Sequence, residues 1–267
     1  MKKILKSLVV IGGILAITAG ATSSYFSDTE KSEGNTLSAG KLDLKIDNTS
    51  YLNCKYNEAT SWLTYADLTN ELFFNFSDLK PGDEGEDTIS LHVFNNDAWA
   101  CFNITVTGTP ENNCLESELE AGDLDCGEED GELQDELEFA FWADDGDNVY
   151  EDNEKLFFGP KALSEFEGSP ITLADKNKSV FDNVGTDGQL IGDDEYYYIG
   201  KVWCFGDLIL DPLPPGIGTP EQRGSAGFNC DGTGGTNLSQ SDGVVGTVSF
   251  YIEQYRNNPD FQCNGID

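Results

Sequence analysis

The sequence predicts a mainly antiparallel β protein with few helices. At least seven short segments carry the period-two alternation of apolar and polar residues that is typical of strands. Apolar residues make up 38% of the chain and aromatic residues 11%, which is enough for a packed core in spite of the high charge. Segments rich in proline and glycine separate these runs, as in folds whose strands are joined by long loops.

The predicted strands follow one another along most of the chain. Leu42, Leu44 and Ile46 alternate with polar residues and form the apolar side of the first strand. The later strand segments are residues 72–76, 89–93, 102–107, 137–141, 196–205 and 244–253.

Helical spacing is confined to two short segments, residues 61–70 and residues 133–137. Residues 211–235 are rich in proline and glycine and predict a long surface loop. No internal repeat or linker divides the chain. Long loops between short strands of one large domain favour a jelly-roll-like antiparallel β-sandwich.

The N-terminus has the three parts of a secretory signal peptide. Three lysines within residues 2–6 precede an apolar run at residues 8–17, and small residues follow it. Cleavage after Ala21 and after Ser23 both fit, so we predict that residues 1–23 are removed. The run is too short to span a bilayer comfortably. We therefore expect a secreted, extracellular or cell-surface chain with no stable membrane span after cleavage.

The chain is strongly acidic. It has 49 Asp and Glu residues against 15 Lys and Arg residues, a formal net charge of −34. Such a surface repels nucleic acid and anionic lipid, so neither is predicted as a partner. The same surface suits divalent cations.

Seven cysteines in an exported chain predict disulfides, with three bridges and one cysteine left over. The spacing does not fix the pairing. Cys114 and Cys126 flank one acidic loop, so this pair is the favoured one. Buried free thiols are the alternative. The sequence has no C-x-x-C motif, which argues against a zinc or thioredoxin-type site.

The most site-like stretch, residues 142–154, is rich in Asp and Asn. Hard cations bind several oxygen atoms that converge from one loop. We predict Asp144, Asp145 and Asp147 as ligands of calcium, the candidate cofactor, together with a nearby main-chain carbonyl. Glu154 would close the site. The spacing does not match an EF-hand, and a solvated acidic turn is the alternative.

The other acidic runs are interpreted as solvated faces. They are Asp123, Asp125, residues 128–130 and residues 193–195. His92, the single histidine, lies on the polar side of a strand and is predicted to face solvent or a loop. Without a second histidine or a G-x-S-x-G motif, the sequence offers no zinc-peptidase site or Ser-His-Asp triad. We predict no catalytic residues and do not expect an enzyme.

Several segments together resemble a known family. Residues 24–47 read SYFSDTEKSEGNTLSAGKLDLKID, residues 79–83 read LKPGD, residues 94–96 read FNN and residues 248–255 read VSFYIEQY. In this order, behind a short signal peptide, they resemble the TasA/camelysin group, whose exported members carry signals cut by a SipW-type signal peptidase. The resemblance covers about the first hundred residues and the last twenty.

The resemblance implies a jelly-roll domain at residues 41–267 and assembly into extracellular biofilm-matrix fibres. In such fibres the N-terminal arm, residues 24–40, enters the next subunit as a donated strand. Tyr25 and Phe26 would fill pockets of the neighbour, and Leu37 would anchor the far end. The predicted partner is thus the chain itself, as a homopolymer, because head-to-tail contacts that do not close give filaments.

Two other functions stay open at the level of sequence. One is a monomeric calcium-binding surface adhesin or envelope-layer protein. The other is a secreted hydrolase with carboxylate chemistry, although no metallopeptidase motif supports that activity. For the arm, the alternative to donation is that it folds back on its own domain or stays disordered.

Overall fold

The structure is a computed structural model dominated by strands. It describes residues 41–112, 114–166, 170–234 and 237–265. The predicted signal peptide and the predicted arm, with Tyr25, Phe26 and Leu37, lie outside these residues. Helices are few and short, and every named strand pair is antiparallel. The prediction of an antiparallel all-β protein is confirmed, whereas the jelly-roll connectivity stays a prediction.

The described strands form three antiparallel sheets. The strands are β1 (Asp43–Leu52), β2 (Lys55–Tyr56), β3 (Trp62–Ala66), β4 (Glu84–Phe94), β5 (Ala98–Gly108), β6 (Leu137–Asp144), β7 (Lys155–Ala162), β8 (Ile171–Ala174), β9 (Asp193–Phe205), β10 (Asp207–Leu210), β11 (Phe228–Asp231) and β12 (Val245–Gln254). The large sheet has the order β2-β1-β4-β9-β6-β7, and β3 also pairs with β1. The small sheet has the order β12-β5-β8, and β10 and β11 form a two-stranded ribbon.

The helical segments are short, and all but the last lie between strands. They are the α-helices α1 (Glu116–Ala121), α2 (Leu133–Glu136) and α3 (Pro220–Arg223), and the 3₁₀ turns Glu58–Thr60, Leu163–Phe166, Gly232–Gly234, Asn237–Ser239 and Cys263–Gly265. Helix α2 occupies the segment predicted at residues 133–137. No helix in the described part of the chain has the length and hydropathy needed to cross a bilayer.

The two faces of the large sheet pack against different layers. On one face, Ile89 and Phe141 join residues of the small sheet in the main core, where the Phe102 and Phe141 ring centroids are 5.1 Å apart. On the other face, Trp142 packs in a second core with Phe228 of the ribbon. Alternate residues of one strand therefore enter different cores, which is the direct consequence of the strand period of two.

The prediction of a helix at residues 61–70 is wrong. Residues 62–66 form β3, which pairs with β1, and the Trp62 indole donates a hydrogen bond to the Ile46 carbonyl at 3.0 Å. Trp62 also packs edge-to-face on Phe73. Pairing with a sheet edge outweighs the weak helical spacing, because helix propensity is a small term beside tertiary contacts.

Two further predictions need correction. Residues 72–76 form no strand but an irregular segment whose Phe73 is buried and whose Phe76 packs on Trp203, so the run is apolar because it seals the core. Residues 211–235 are not only a surface loop, since they include α3 and β11 and bury Phe228.

The prediction that His92 faces solvent or a loop is also wrong. His92 is buried, its Nε2 lies 2.5 Å from Asp47 Oδ2, and its ring lies 4.7 Å from the Tyr65 ring and 4.8 Å from the Tyr196 ring. The polar side of β4 is buried because the large sheet is covered on both faces.

Three disulfides cross-link the described residues. Cys101 pairs with Cys263, Cys114 with Cys126, and Cys204 with Cys230. The second pair is the one that the sequence favoured. Cys54 remains a free thiol. Three disulfides are typical of a protein that matures in an oxidising compartment.

Candidate functional site

Three of the predicted metal ligands come together at the end of β6. Carboxylate oxygens of Asp144, Asp145 and Asp147 lie within 4.8 Å of one another, and we call this group the aspartate loop site. Asp144 is the last residue of β6, and the chain turns immediately after it. A hard cation needs such convergent oxygens from a short loop.

Asp144 is fixed by donors on both of its oxygens. Its Oδ1 accepts a hydrogen bond from Trp142 Nε1 at 2.9 Å, and its Oδ2 accepts one from Thr88 Oγ1 at 2.7 Å and one from the Gly146 N–H at 3.0 Å. The carboxylate is therefore tied to β4 and β6, two strands of the large sheet.

The turn after Asp144 uses residues suited to left-handed backbone. Gly146 has φ +106°, and a Cβ there would stand 3.2 Å from the Tyr198 ring. Asn148 has φ 68° and donates from its side chain to the Thr49 carbonyl at 3.2 Å. Asn tolerates this conformation better than most residues. Asp147 Oδ1 closes the turn by accepting from the Val149 N–H at 2.9 Å.

Glu154 lies outside the 4.8 Å group of three aspartates. Its Oε1 accepts from the Asp145 N–H at 2.9 Å and its Oε2 from the Glu151 N–H at 2.8 Å. Glu154 thus joins the two ends of the loop and holds the aspartates in place.

Burial and mutual repulsion make these carboxylates weaker acids. Burial is the main cause that raises the pKa of Asp144 to about 6, and it raises the pKa of Asp147 to about 6 with repulsion from Asp145. The pKa of Glu154 rises to about 9, because of burial and the nearby Asp144 charge. A bound cation would relieve this repulsion and favour the ionised form.

Sequence reasoning missed the positive charge of the site. Arg223 of α3 lies 3.5 Å from Asp147 Oδ2 and forms an ion pair with buried Glu151. Glu151 also accepts from the Gly216 N–H at 2.7 Å. No local pattern links these residues, because Arg223 arrives from a distant loop.

Glu86 is a second residue that the sequence did not single out. It lies on β4, is 2% exposed, and neither of its carboxylate oxygens has a hydrogen-bond partner among the described residues. Burial raises its pKa well above the usual range, and the charges of Asp87 and Asp144 raise it further. A further buried carboxyl group therefore lies close enough to Asp144 for their charges to interact.

The small sheet has a long open edge at β12. Among the described strands β12 pairs with β5 alone, over ten residues. Val245 and Tyr251 on this strand are 54% and 41% exposed. An edge strand of this length presents a row of free backbone donors and acceptors.

A groove with a volume of about 830 Å³ runs beside β12. Its wall opposite β12 is the irregular segment 68–79, and Ile104, Leu137 and Phe205 contribute to its apolar lining. The groove and the open edge of β12 together define what we call the β12 groove. Extended peptides bind to such features by adding a strand and placing side chains in the adjacent pockets.

No family model and no curated protein matches the chain.

Proposed function

We propose that the protein is a secreted structural subunit of an extracellular fibre, in which the arm of one copy adds as a strand to the β12 groove of the next copy. The role is one of assembly, without catalysis. The observation that carries the proposal is the open, largely uncharged edge of β12 beside a groove that is partly lined by apolar residues.

Three other edge strands, β7, β8 and β2, are poorer acceptors. Strand β7 contains Pro160, which has no N–H to donate, and it carries Lys155 and Lys161. Strand β8 has four residues, and β2 has two. Strand β12 has ten residues, no proline and a single charged residue, Glu253. Natural proteins avoid leaving such an edge open, so a partner strand there is favoured.

The arm has the length and composition of a donated strand. Residues 24–38 span about 50 Å when extended, which exceeds the length of a ten-residue strand. Tyr25 and Phe26 are the arm's large aromatic side chains and suit an apolar groove. The polar remainder of the arm can bury little surface alone, so its main-chain hydrogen bonds to a neighbour would supply most of the binding.

We expect deletion of residues 24–38 to abolish fibres while the domain stays folded. Val245→Lys with Tyr251→Lys should have the same effect, because charges on an edge strand oppose strand addition. The measurement is electron microscopy of the purified protein, with circular dichroism to check the fold. Ile217→Lys with Leu63→Lys is the matched control, since both residues are exposed elsewhere.

A synthetic peptide of residues 24–38 gives a direct test of the acceptor. It should bind the arm-deleted protein, and the lysine pair on β12 should remove this binding, whereas a scrambled peptide should not bind. Fibres that persist without the arm would contradict strand donation. A chain that stays monomeric at high concentration with its arm intact would favour the adhesin function instead.

We further propose that calcium at the aspartate loop site stiffens the subunit. We expect Asp145→Asn with Asp147→Asn to weaken calcium binding at this site at least tenfold, because two of its three grouped carboxylates are lost. Calorimetric titration measures the change. Asp152→Asn with Asp211→Asn removes the same charge from exposed positions and should leave binding intact. Equal affinities for the two double variants would rule out the site.

A further inference from the structure

A second set of carboxylates, separate from the aspartate loop site, lies where the connection between β5 and β6 meets the segment before β12. We call it the inner acidic cluster. Its members are Glu111, Glu118, Asp123, Glu132 and Asp242. The prediction that Asp123 lies on a solvated face is wrong, because Asp123 is only 5% exposed. Asp125 and residues 128–130 are exposed.

Glu111 stands at the centre of the cluster. Its carboxylate lies within 4.8 Å of oxygens from Glu118 and Asp242, and equally within 4.8 Å of oxygens from Asp123 and Glu132. The Cys114–Cys126 disulfide closes the loop that supplies Glu118 and Asp123. Glu111 is therefore shared by two groups of three carboxylates, and residue 242 in one of them comes from the segment before β12.

Hydrogen bonds from the protein fix three of the carboxylates. Glu118 Oε1 accepts from the Ser241 N–H at 2.9 Å, and Asp242 Oδ2 accepts from the Glu132 N–H at 2.6 Å. Asp123 Oδ1 also accepts a main-chain N–H at 2.9 Å. The second Glu118 oxygen, Oε2, accepts from the Leu115 N–H, so both of its oxygens are held by the main chain.

Four oxygens of the cluster are buried and have no hydrogen-bond donor among the described residues. Glu111 is 8% exposed, and neither of its oxygens has a hydrogen-bond partner among the described residues. The same holds for Glu132 Oε2 and Asp242 Oδ1. No lysine or arginine in the described segments forms an ion pair with the cluster. Buried charges of one sign are normally paired or bound to a metal.

We propose that the inner acidic cluster binds a hard divalent cation of the calcium type. All of its candidate ligand atoms are carboxylate oxygens. The nearby Cys114 and Cys126 form a disulfide and so offer no thiolate ligand. Calcium accepts six to eight oxygens in flexible geometry, whereas zinc prefers nitrogen and sulfur ligands. Burial raises the pKa of Glu111 and of Glu132 to about 7, and repulsion from neighbouring carboxylates adds to this effect. A bound cation would offset the repulsion.

The position of the cluster gives the cation a structural role. Asp242 and Ser241 precede β12, while Glu111 follows β5, the strand to which β12 pairs. Gly243 already donates to the Pro110 carbonyl at 2.8 Å across the same junction. A cation between Glu111 and Asp242 would clamp the beginning of β12. This inference does not depend on fibre assembly.

The test is a calorimetric titration of the purified protein with CaCl₂, and separately with MgCl₂, after treatment with a chelator. Glu111→Gln should lower the affinity of one calcium-binding event at least tenfold or remove the event. Substitution of residues that only support the ligands already lowers metal affinity about tenfold, and Glu111 would be a ligand itself. Glu128→Gln is the matched control, because it makes the same change at an exposed residue of the same loop. Asp145→Asn with Asp147→Asn should leave this event unchanged.

Thermal unfolding separates loss of the site from loss of the fold. In chelator, Glu111→Gln should be at least as stable as the parent, because a buried repulsive charge is removed. Added calcium should raise the melting temperature of the parent and of Glu128→Gln, and Glu111→Gln should gain less. Identical calcium binding by Glu111→Gln and Glu128→Gln would overturn the proposal. A melting temperature of the parent that does not change on addition of calcium would also overturn the proposal. Protons, rather than a cation, would then neutralise the cluster.

Discussion

Replacement of Lys201 by methionine is expected to destabilise the domain by about 3–5 kcal/mol, the cost of leaving one partner of a buried ion pair without the other. Lys201 on β9 faces Asp87 on β4 in direct register, and the two side chains form an ion pair while each is 1% exposed. Methionine has a similar length, so the change removes charge without opening a large cavity.

The surroundings of Lys201 explain why the loss should be large. Its ammonium lies 3.8 Å from the Phe74 ring centroid and 3.5 Å from the Phe73 carbonyl, inside the main core. Burial lowers the pKa of Lys201, and the Asp87 charge opposes this effect. Without the ammonium, the Asn48 side chain, which donates to Asp87 Oδ1 at 3.1 Å, would be the remaining described donor to that carboxylate.

Urea denaturation of the parent, the single variant and the double variant measures the change in the free energy of unfolding. Lys201→Met should lose the full amount, whereas Lys201→Met with Asp87→Asn should recover most of it, because no unpaired charge is left. Equal losses in the single and double variants would show that packing, rather than charge, holds this part of the core.

The strands were predictable from sequence wherever one strand face is apolar. In β1, β4, β5, β6 and β9 the alternating residues enter the main core as the period of two requires. The pattern could not show that the large sheet is covered on both faces. Ser90 and His92 look solvent-facing by composition, yet both are buried. Their burial depends on loops and strands that come from elsewhere in the chain.

The candidate sites differ in how far the sequence revealed them. Asp144, Asp145 and Asp147 are neighbours in sequence, so the aspartate loop site was visible as a motif. In the inner acidic cluster, Glu111 and Asp242 meet only because β5 and β12 pair. A local pattern cannot encode that meeting, and in a chain with 49 acidic residues no single carboxylate stands out.

The same division applies to the proposed assembly. The arm's polar composition and aromatic pair are features of sequence, whereas the acceptor depends on which strand is left at an edge. That assignment follows from the pairing order β12-β5-β8 and from the groove beside Ile104 and Leu137. The proposed donor thus comes from sequence reasoning, and the proposed acceptor comes from topology.

Removal of the Cys101–Cys263 disulfide is the second change with a large expected effect. The bridge joins β5 to the C-terminal 3₁₀ turn across a sequence separation of 162, and Cys263 is fully buried. In the chain-entropy description, closing so long a loop raises the free energy of the unfolded chain by about 5 kcal/mol. The Cys114–Cys126 loop, with a separation of 12, is worth about 3 kcal/mol in the same description.

We therefore expect Cys101→Ala with Cys263→Ala to lose more stability than Cys114→Ala with Cys126→Ala, as measured by urea denaturation without reductant. Both pairs should be made in a Cys54→Ser parent, so that no thiol is left to exchange. Burial raises the pKa of the Cys54 thiol, which slows exchange in the native protein but not in the unfolded chain. Equal losses would indicate that native contacts at each bridge, rather than loop length, set its contribution. A larger loss for the short loop would indicate that this bridge stabilises the inner acidic cluster beyond its entropic share, because it closes the loop that holds Glu118 and Asp123.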